Sequence, residues 1–405
     1  MQRLTELDLP DLPLEDPAFS ADPFPYIAAA RRRHPWAARC GHGIVIHGFS
    51  AIKALLWRDG ALEGSYADVV GLMGAHGTPW GRFQEEMLLA RQGDAHKRIR
   101  GLLAPAFTPR QAARHRPLMR AVIAELLDAW APKGAFDFEE FAAQFPIGVM
   151  CSLIGAPRAV IPELRASLEA LGLSQSLDRA HLPALQRATG QLDAFVQELV
   201  AGRRAAPREE GADLLQLLVD QIDRGGLTER ELHDLLIFLF VAGYDTSKNA
   251  LTLAMAVLVE RPDLYARCAE DPAFCRRLVE ENFRYLTTST IPRIARADIV
   301  HDDVLIPRDT MLFFPVSIAG RDGRVIDDPD RFDPDRRQIR THMAFGMGAH
   351  ICLGQFIARA QIEEDLHQIA RRLRNPRRTG PSQWRPFYGV WGLRGLPIAF
   401  DAGVS

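Results

Sequence analysis

The sequence is short of the features that would tie it to a membrane or to nucleic acid. No segment reaches the roughly 18 uncharged apolar residues that a spanning helix needs. The stretch from Met1 to Pro25 is acidic and Pro-rich, with no cationic start leading into an apolar run, so it does not read as a signal peptide. Formal net charge is only -2 over 405 residues, which removes any global attraction to nucleic acid. A local basic run such as Arg371, Arg372 and Arg374 is ordinarily a solvated face. No GxGxxG unit follows a strand pattern, so no flavin or nicotinamide site is expected, and no internal repeat is visible. The five cysteines, Cys40, Cys151, Cys268, Cys275 and Cys352, form neither a CxxC pair nor a disulfide framework. These absences lead us to expect a soluble, cytoplasmic monomer with no membrane anchor and no nucleic-acid partner.

What is present is a large core. Hydrophobic residues make up 47% of the chain and charged residues 25%, as in ordinary globular proteins. Helical periodicity dominates, for example at Leu118, Val122, Leu126 and Trp130, and again at Leu214, Leu217, Leu218 and Ile222. β-branched runs are short: Gly43 to His47, Ile299 to Ile306, Met311 to Pro315 and Leu396 to Phe400. The reading is a mainly α protein with small β-sheets (α+β). Stretches at Ala201 to Gly211 and Arg374 to Gln383 read as surface loops, but neither separates distinct halves. One domain over 1–405 is expected, with 1–20 an extended N-terminal segment.

The longest helix should begin at Thr228, capped by its hydroxyl with Glu231 reaching back, and end at Pro262. From Leu235 to Val259 it is apolar on nearly every side except at Tyr244 to Asn249, so it should cross the centre of the molecule. Asp245, Thr246, Ser247 and Lys248 are costly to bury alone and should line a cavity or meet polar partners.

A second constellation is Phe345-Gly346-Met347-Gly348-Ala349-His350-Ile351-Cys352-Leu353-Gly354, a glycine-containing loop leading into an amphipathic helix with Leu353, Phe356, Ile357, Ala360 and Leu366 on its apolar stripe. A lone cysteine is ordinarily a small buried hydrophobe. A thiol at a helix N-terminus, however, should have its pKa lowered and favour the thiolate needed to ligate metal. Gly346 and Gly348 let the backbone fold closely round a flat ligand, and Gly354 follows the sulfur directly. One thiolate suits haem iron, whose porphyrin supplies four ligands, whereas zinc would ask for three or four protein ligands.

This FGxGxHxCxG pattern resembles the haem-binding signature of the cytochrome P450 family, in its soluble bacterial form. The resemblance implies that Cys352 is the axial metal ligand of a haem b, that Phe345 packs beside the sulfur and that His350 contacts a propionate. Ala242-Gly243-Tyr244-Asp245-Thr246 resembles the family's oxygen-activation motif. It implies Thr246 in oxygen activation, Asp245 in proton delivery, and Gly243 as the position that leaves room for oxygen. Glu281 and Arg284 match ExxR, with Arg336 completing a structural network. His96 and Arg100 resemble HxxxR, and Arg293 matches a third propionate contact. The implied fold places haem between the long central helix and the Cys-bearing loop. The likeness runs from about Asp22 to Phe400, with departures at Leu286 to Thr290, at Gly320 and at Asp302-Asp303.

The implied activity is a monooxygenase that inserts one atom of O2 into a C–H bond of a small to medium hydrophobic molecule, by hydroxylation or oxidative dealkylation. A haem-thiolate peroxygenase or a non-hydroxylating P450 (rearrangement, C–C coupling) is the alternative. The pocket is expected to draw on the loop from about Gly71 to Leu89, Phe238, Ala242, Thr288 to Ile291, Val390 and Trp391. Electrons should come from a ferredoxin or flavodoxin with a separate reductase, docking near Arg337 and Arg340.

Overall fold

The computed structural model describes residues 2–58, 60–337 and 341–402, and Arg340 lies outside them. The helices that position the site are α1 (Pro79–Glu86), α2 (Gly93–Leu103), α3 (Pro109–Trp130), α4 (Phe138–Ile154), α5 (Ile161–Leu171), α6 (Leu182–Ala205), α7 (Glu229–Leu258), α8 (Pro272–Tyr285) and α9 (Gln355–Arg372). A five-stranded mixed sheet contains β1 (Ala37–Cys40), β2 (Gly43–Ile46), β3 (Leu62–Gly64), β4 (Thr290–Ala295) and β5 (Met311–Pro315), in the order β1-β2-β5-β4-β3. Two three-stranded sheets and a two-stranded one complete the strands among the described residues.

The central helix forms much as its sequence dictates. Glu231 N–H donates to Thr228 Oγ1 at 3.2 Å while Thr228 N–H donates to Glu231 Oε2 at 3.0 Å, a complete capping box. The helix ends at Leu258, four residues before Pro262, which opens a helix of its own over Pro262–Glu270. α7 packs along α4, and α9 packs along α3.

The sheet is covered on both faces because its side chains alternate. On β5, Phe313 joins the large apolar cluster round α7, whereas Leu312 and Phe314 join a second cluster. On β2, Val45 and the pair Ile44 and Ile46 divide in the same way.

Four expectations are corrected. Ile299 to Ile306 is a hairpin rather than one strand: Ile299–His301 pairs antiparallel with Val304–Ile306. Its turn residues Asp302 and Asp303 have φ of 47° and 60°, a left-handed conformation that Asp tolerates where glycine is usual. Ala201 to Ala205 belongs to α6, and Leu373–Arg378 is a strand paired with Pro397–Ala402. The N-terminal segment includes a short helix at Pro17–Ala21, begun by Asp16, whose carboxylate accepts from Ala18 N–H. Among the described residues no helix is long and apolar enough to cross a membrane.

Candidate active site

The Cys352 loop is shaped by its own backbone. Gly346 N–H donates to Met343 O, Cys352 N–H donates to Phe345 O at 2.8 Å, and Gly346 and Gly348 take φ of 68° and 72°. Gly354 is the N-cap of α9, so Cys352 stands just ahead of the helix instead of in its first turn. Its thiol is shifted upward, not downward as the sequence suggested. Burial dominates, outweighing the Gly354 amide and the positive charges of Arg100 and Arg359. The cysteine nevertheless keeps accessible surface, so it opens onto space enclosed by protein. A cation bound to the sulfur would reverse the balance, since a coordinating thiol is deprotonated outright.

Phe345 packs edge-on against Phe283, with ring centroids 4.8 Å apart, and Arg359 lies over its ring at 4.2 Å. Phe356 is 37% exposed and so falls off the apolar stripe assigned to it.

The expected propionate residues do converge. The His96 and His350 rings meet at a tilt with centroids 4.1 Å apart, and Arg100 Nη2 donates to Ile351 O at 2.6 Å, joining α2 to the loop. His350 Nε2 lies 3.2 Å from Gln92 Oε1, while its Nδ1 is buried with no hydrogen-bond partner. Its pKa is pushed down to about 3 by burial first, then by His96, Arg293 and Arg100. Arg293 also meets the buried Tyr66, whose phenol is raised by burial. No carboxylate pairs with Arg100, Arg293 or His350 among the described residues. The guanidiniums of Arg100 and Arg293, with no carboxylate partner, and the uncharged imidazole of His350 as a further hydrogen-bonding group suit the two carboxylates of a haem, so the residues present fit that group. Gln92 and Tyr66 had no sequence signal, being single residues outside any motif.

Beneath the loop, Glu281 and Arg284 form a bidentate pair at 2.7 and 2.8 Å with both side chains 0% exposed. Arg284 Nη1 donates to Gly320 O and Pro329 O, its Nη2 donates to Arg331 O, and Asp333 N–H donates to Glu281 Oε1. Arg336 Nε stands 3.5 Å from Glu281 Oε1. These bonds meet the desolvation cost that a buried pair alone would leave open. Gly320 is required here, because a Cβ would fall 2.1 Å from Arg284 O.

Along the middle of α7 nearly every side is buried, but Phe238, Val241, Ala242, Gly243 and Thr246 are not. Phe238, Ala242 and Thr246 are successive i,i+4 positions, so the residues that keep accessible surface share one face of the helix. Thr246 Oγ1 donates to Ala242 O at 2.8 Å.

Asp245 points elsewhere, and no hydrogen bond joins it to Thr246. Its Oδ1 accepts from Arg385 Nη1 at 2.5 Å and Asn249 Nδ2 at 3.0 Å, while Lys248 Nζ lies 3.6 Å away. Arg385 lies far along the chain and carried no motif, so sequence reading missed it. At Gly243 a Cβ would meet Met150 Sδ at 2.7 Å, so the missing side chain also eases the α7–α4 crossing.

The expected pocket divides. Ile291 and Val390 retain accessible surface, as does Ser289, but Thr288 is 4% exposed. On an extended chain Ser289 and Ile291 share one face and Thr288 takes the other. Trp391 is 0% exposed, donates its indole N–H to Ser20 O at 2.8 Å and stacks on Trp384 at 4.6 Å. It is core, whereas its neighbour Val390 keeps accessible surface.

The chain belongs to the cytochrome P450 family: residues 164–376 match the model described as Cytochrome P450. It is similar to the luteothin monooxygenase of Streptomyces thioluteus, with 34% identity over 98% of this chain and 97% of that one. It is also similar to the pentalenic acid synthase of Streptomyces avermitilis, with 31% identity over 79% of each. Among solved structures, that of CalO2 superposes with a TM-score of 0.88 at 26% identity, covering 98% of this chain and all of that one. The protein is therefore a haem-thiolate monooxygenase of bacterial type.

Proposed function

We propose that the Cys352 sulfur would hold the iron of a haem b and that His96, Arg100, Arg293 and His350 would hold its propionates. The chain then oxidises a C–H bond of a small to medium hydrophobic molecule. The observation that carries this reading is the accessible sulfur of Cys352, walled in by protein, near the guanidiniums of Arg100 and Arg293, with which no carboxylate pairs among the described residues. When bound, the haem supplies dioxygen activation, with the thiolate donating electron density. The chain's residues do the rest. Phe238, Ala242, Ile291 and Val390 form apolar walls that exclude water and orient substrate by shape, with Ser289 offering one hydroxyl. Thr246 holds a hydroxyl proton at Oγ1 on the accessible face of α7, and Asp245 keeps a carboxylate one residue away.

Electrons would come from a small acidic redox protein meeting exposed basic side chains such as Arg337. Because the luteothin monooxygenase matches nearly the whole chain, luteothin is the first compound to test as a ligand, by its effect on the Soret band. The reduced, CO-treated protein should show the strongly red-shifted Soret band of thiolate ligation, and Cys352→His should lose it. Haem retained without that band in the wild type would refute the ligand assignment.

A further inference from the structure

Asp245 sits in a network of charges that its motif alone does not require. Beyond it, Lys248 Nζ donates to Glu139 Oε1 at 2.6 Å, and Gly395 N–H approaches Glu139 Oε2 at 3.4 Å. Exposure falls along the line, from 14% for the Glu139 side chain to 3% for Lys248 and 2% for Asp245. The network therefore runs from the N-terminal turn of α4, which water reaches, to the interior of α7.

Further charged and polar groups pack against it. Arg385 directly follows the short strand Gln383–Trp384, with a side chain 5% exposed. α7 adds Asn249 and Tyr244, and the Tyr244 hydroxyl donates to Glu169 of α5, itself paired with Arg165. Gly172, just past α5, closes the remaining side: a Cβ there would stand 2.2 Å from Asp245 Oδ2. Asp245 Oδ2 is left buried and without a hydrogen-bond donor.

We propose that Glu139 and Lys248 are the proton supply line of Asp245, with Lys248 the moving member and Arg385 the fixed one. The inference rests on Asp245 serving proton delivery. The two cations differ in kind. A guanidinium keeps its proton under all ordinary conditions, so Arg385 can only hold Oδ1 in place. An ammonium has three N–H groups on a flexible stem, so Lys248 can bond Glu139 and Asp245 together and exchange protons with both. Closing the 3.6 Å gap to Asp245 Oδ1 by less than about 1 Å brings it to hydrogen-bond length.

In the transfer, a solvent proton binds Glu139 at Oε1. Lys248 gives one N–H proton to Asp245 Oδ1 and recovers one from Glu139 in the same event. Lys248 ends as the ammonium it began as, Glu139 ends as a carboxylate, and one proton has moved from solvent to Asp245. The two transfers are concerted, because a neutral lysine between them would cost the gap between ammonium and carboxyl pKa values.

The test uses haem-loaded wild type with Lys248→Met, Lys248→Arg and Glu139→Gln. In the resting protein, Asp245 protonation after a pH jump is followed through its infrared carboxyl band. In turnover, the solvent isotope effect and the share of electrons lost to peroxide are measured against pH. The relay requires Lys248→Met and Lys248→Arg to slow Asp245 protonation alike, by tenfold or more. Both should raise the solvent isotope effect about twofold, although Lys248→Arg keeps the wild-type melting temperature. Glu139→Gln should move both readouts the same way, less strongly. A merely structural Lys248 predicts that Lys248→Arg restores wild-type rates, and that outcome overturns the relay, as does an unchanged rate in Glu139→Gln. A folding failure of Lys248→Met leaves the other two variants to decide. A wild type without the red-shifted CO band refutes the haem-thiolate reading instead, so the two failures are distinguishable.

Discussion

At Gly243 a methyl group would stand 2.7 Å from the sulfur of Met150, a side chain only 5% exposed. The motif in which this glycine falls suggests a role toward oxygen, and a side chain added there would point at α4. Overpacking of this kind costs about 1–3 kcal/mol. Gly243→Ala is therefore expected to destabilise the haem-loaded protein by that amount. In a Met150→Ala background the same change should cost much less, a coupling that a double-mutant cycle of denaturant midpoints measures. Equal costs in both backgrounds would return Gly243 to the oxygen side. The site residues that were legible in the sequence are those with a motif around them: Cys352, Glu281, Arg284 and the His96–Arg100 pair. Gln92, Tyr66 and Arg385 contribute single side chains from distant segments, and nothing local marks them.

At the scale of elements, α7 supports both the accessible stripe and the Asp245 network, so its ends matter to the site. Its N-terminus is held by reciprocal bonds between Thr228 and Glu231, and Glu231 is also paired with Arg98 of α2. Replacing an N-cap hydroxyl by a methyl costs about 0.5–2 kcal/mol. Thr228→Ala should lower thermal stability accordingly, whereas Thr228→Asp should hold it, as calorimetry of the two variants would show. The helix start was readable because capping is local. Strand limits were less so: Ile299 to Ile306 has the β-branched composition of one strand, and only the positive φ of Asp302 and Asp303 breaks it into a hairpin.

Over the whole molecule, Asp322 links three distant segments. It accepts from Phe49 N–H at 3.0 Å, pairs with Arg324 at 2.5 Å and approaches Arg31 at 3.9 Å, with its side chain 2% exposed. Burial alone would raise its pKa, but Arg324, Arg31 and the Phe49 amide overcome it and bring the value down to about 2. The folded-state pKa is thus below the unfolded one. The resulting stabilisation is present above about pH 4 and is lost as pH falls toward 2, amounting to about 2 kcal/mol. Asp322→Asn should remove most of the extra acid sensitivity in this window while lowering stability at neutral pH. Urea midpoints from pH 2 to 7 check this, and parallel curves for the two proteins would contradict it.

The sequence by itself determined the chemistry of this protein and the frame that carries it. A thiolate loop, a buried helix with a polar interruption and an i,i+3 ion pair are each written within a few residues, so spacing and desolvation cost suffice to read them. Tertiary structure alone decided which way those groups face. It turned Trp391 and Thr288 into core, tied Asp245 to Arg385 in place of Thr246, gave the space at Gly243 to Met150, and left the Cys352 thiol raised by burial. The physical reason is the same in each case: burial and partner geometry are set by segments far apart in the chain, and no local pattern encodes them.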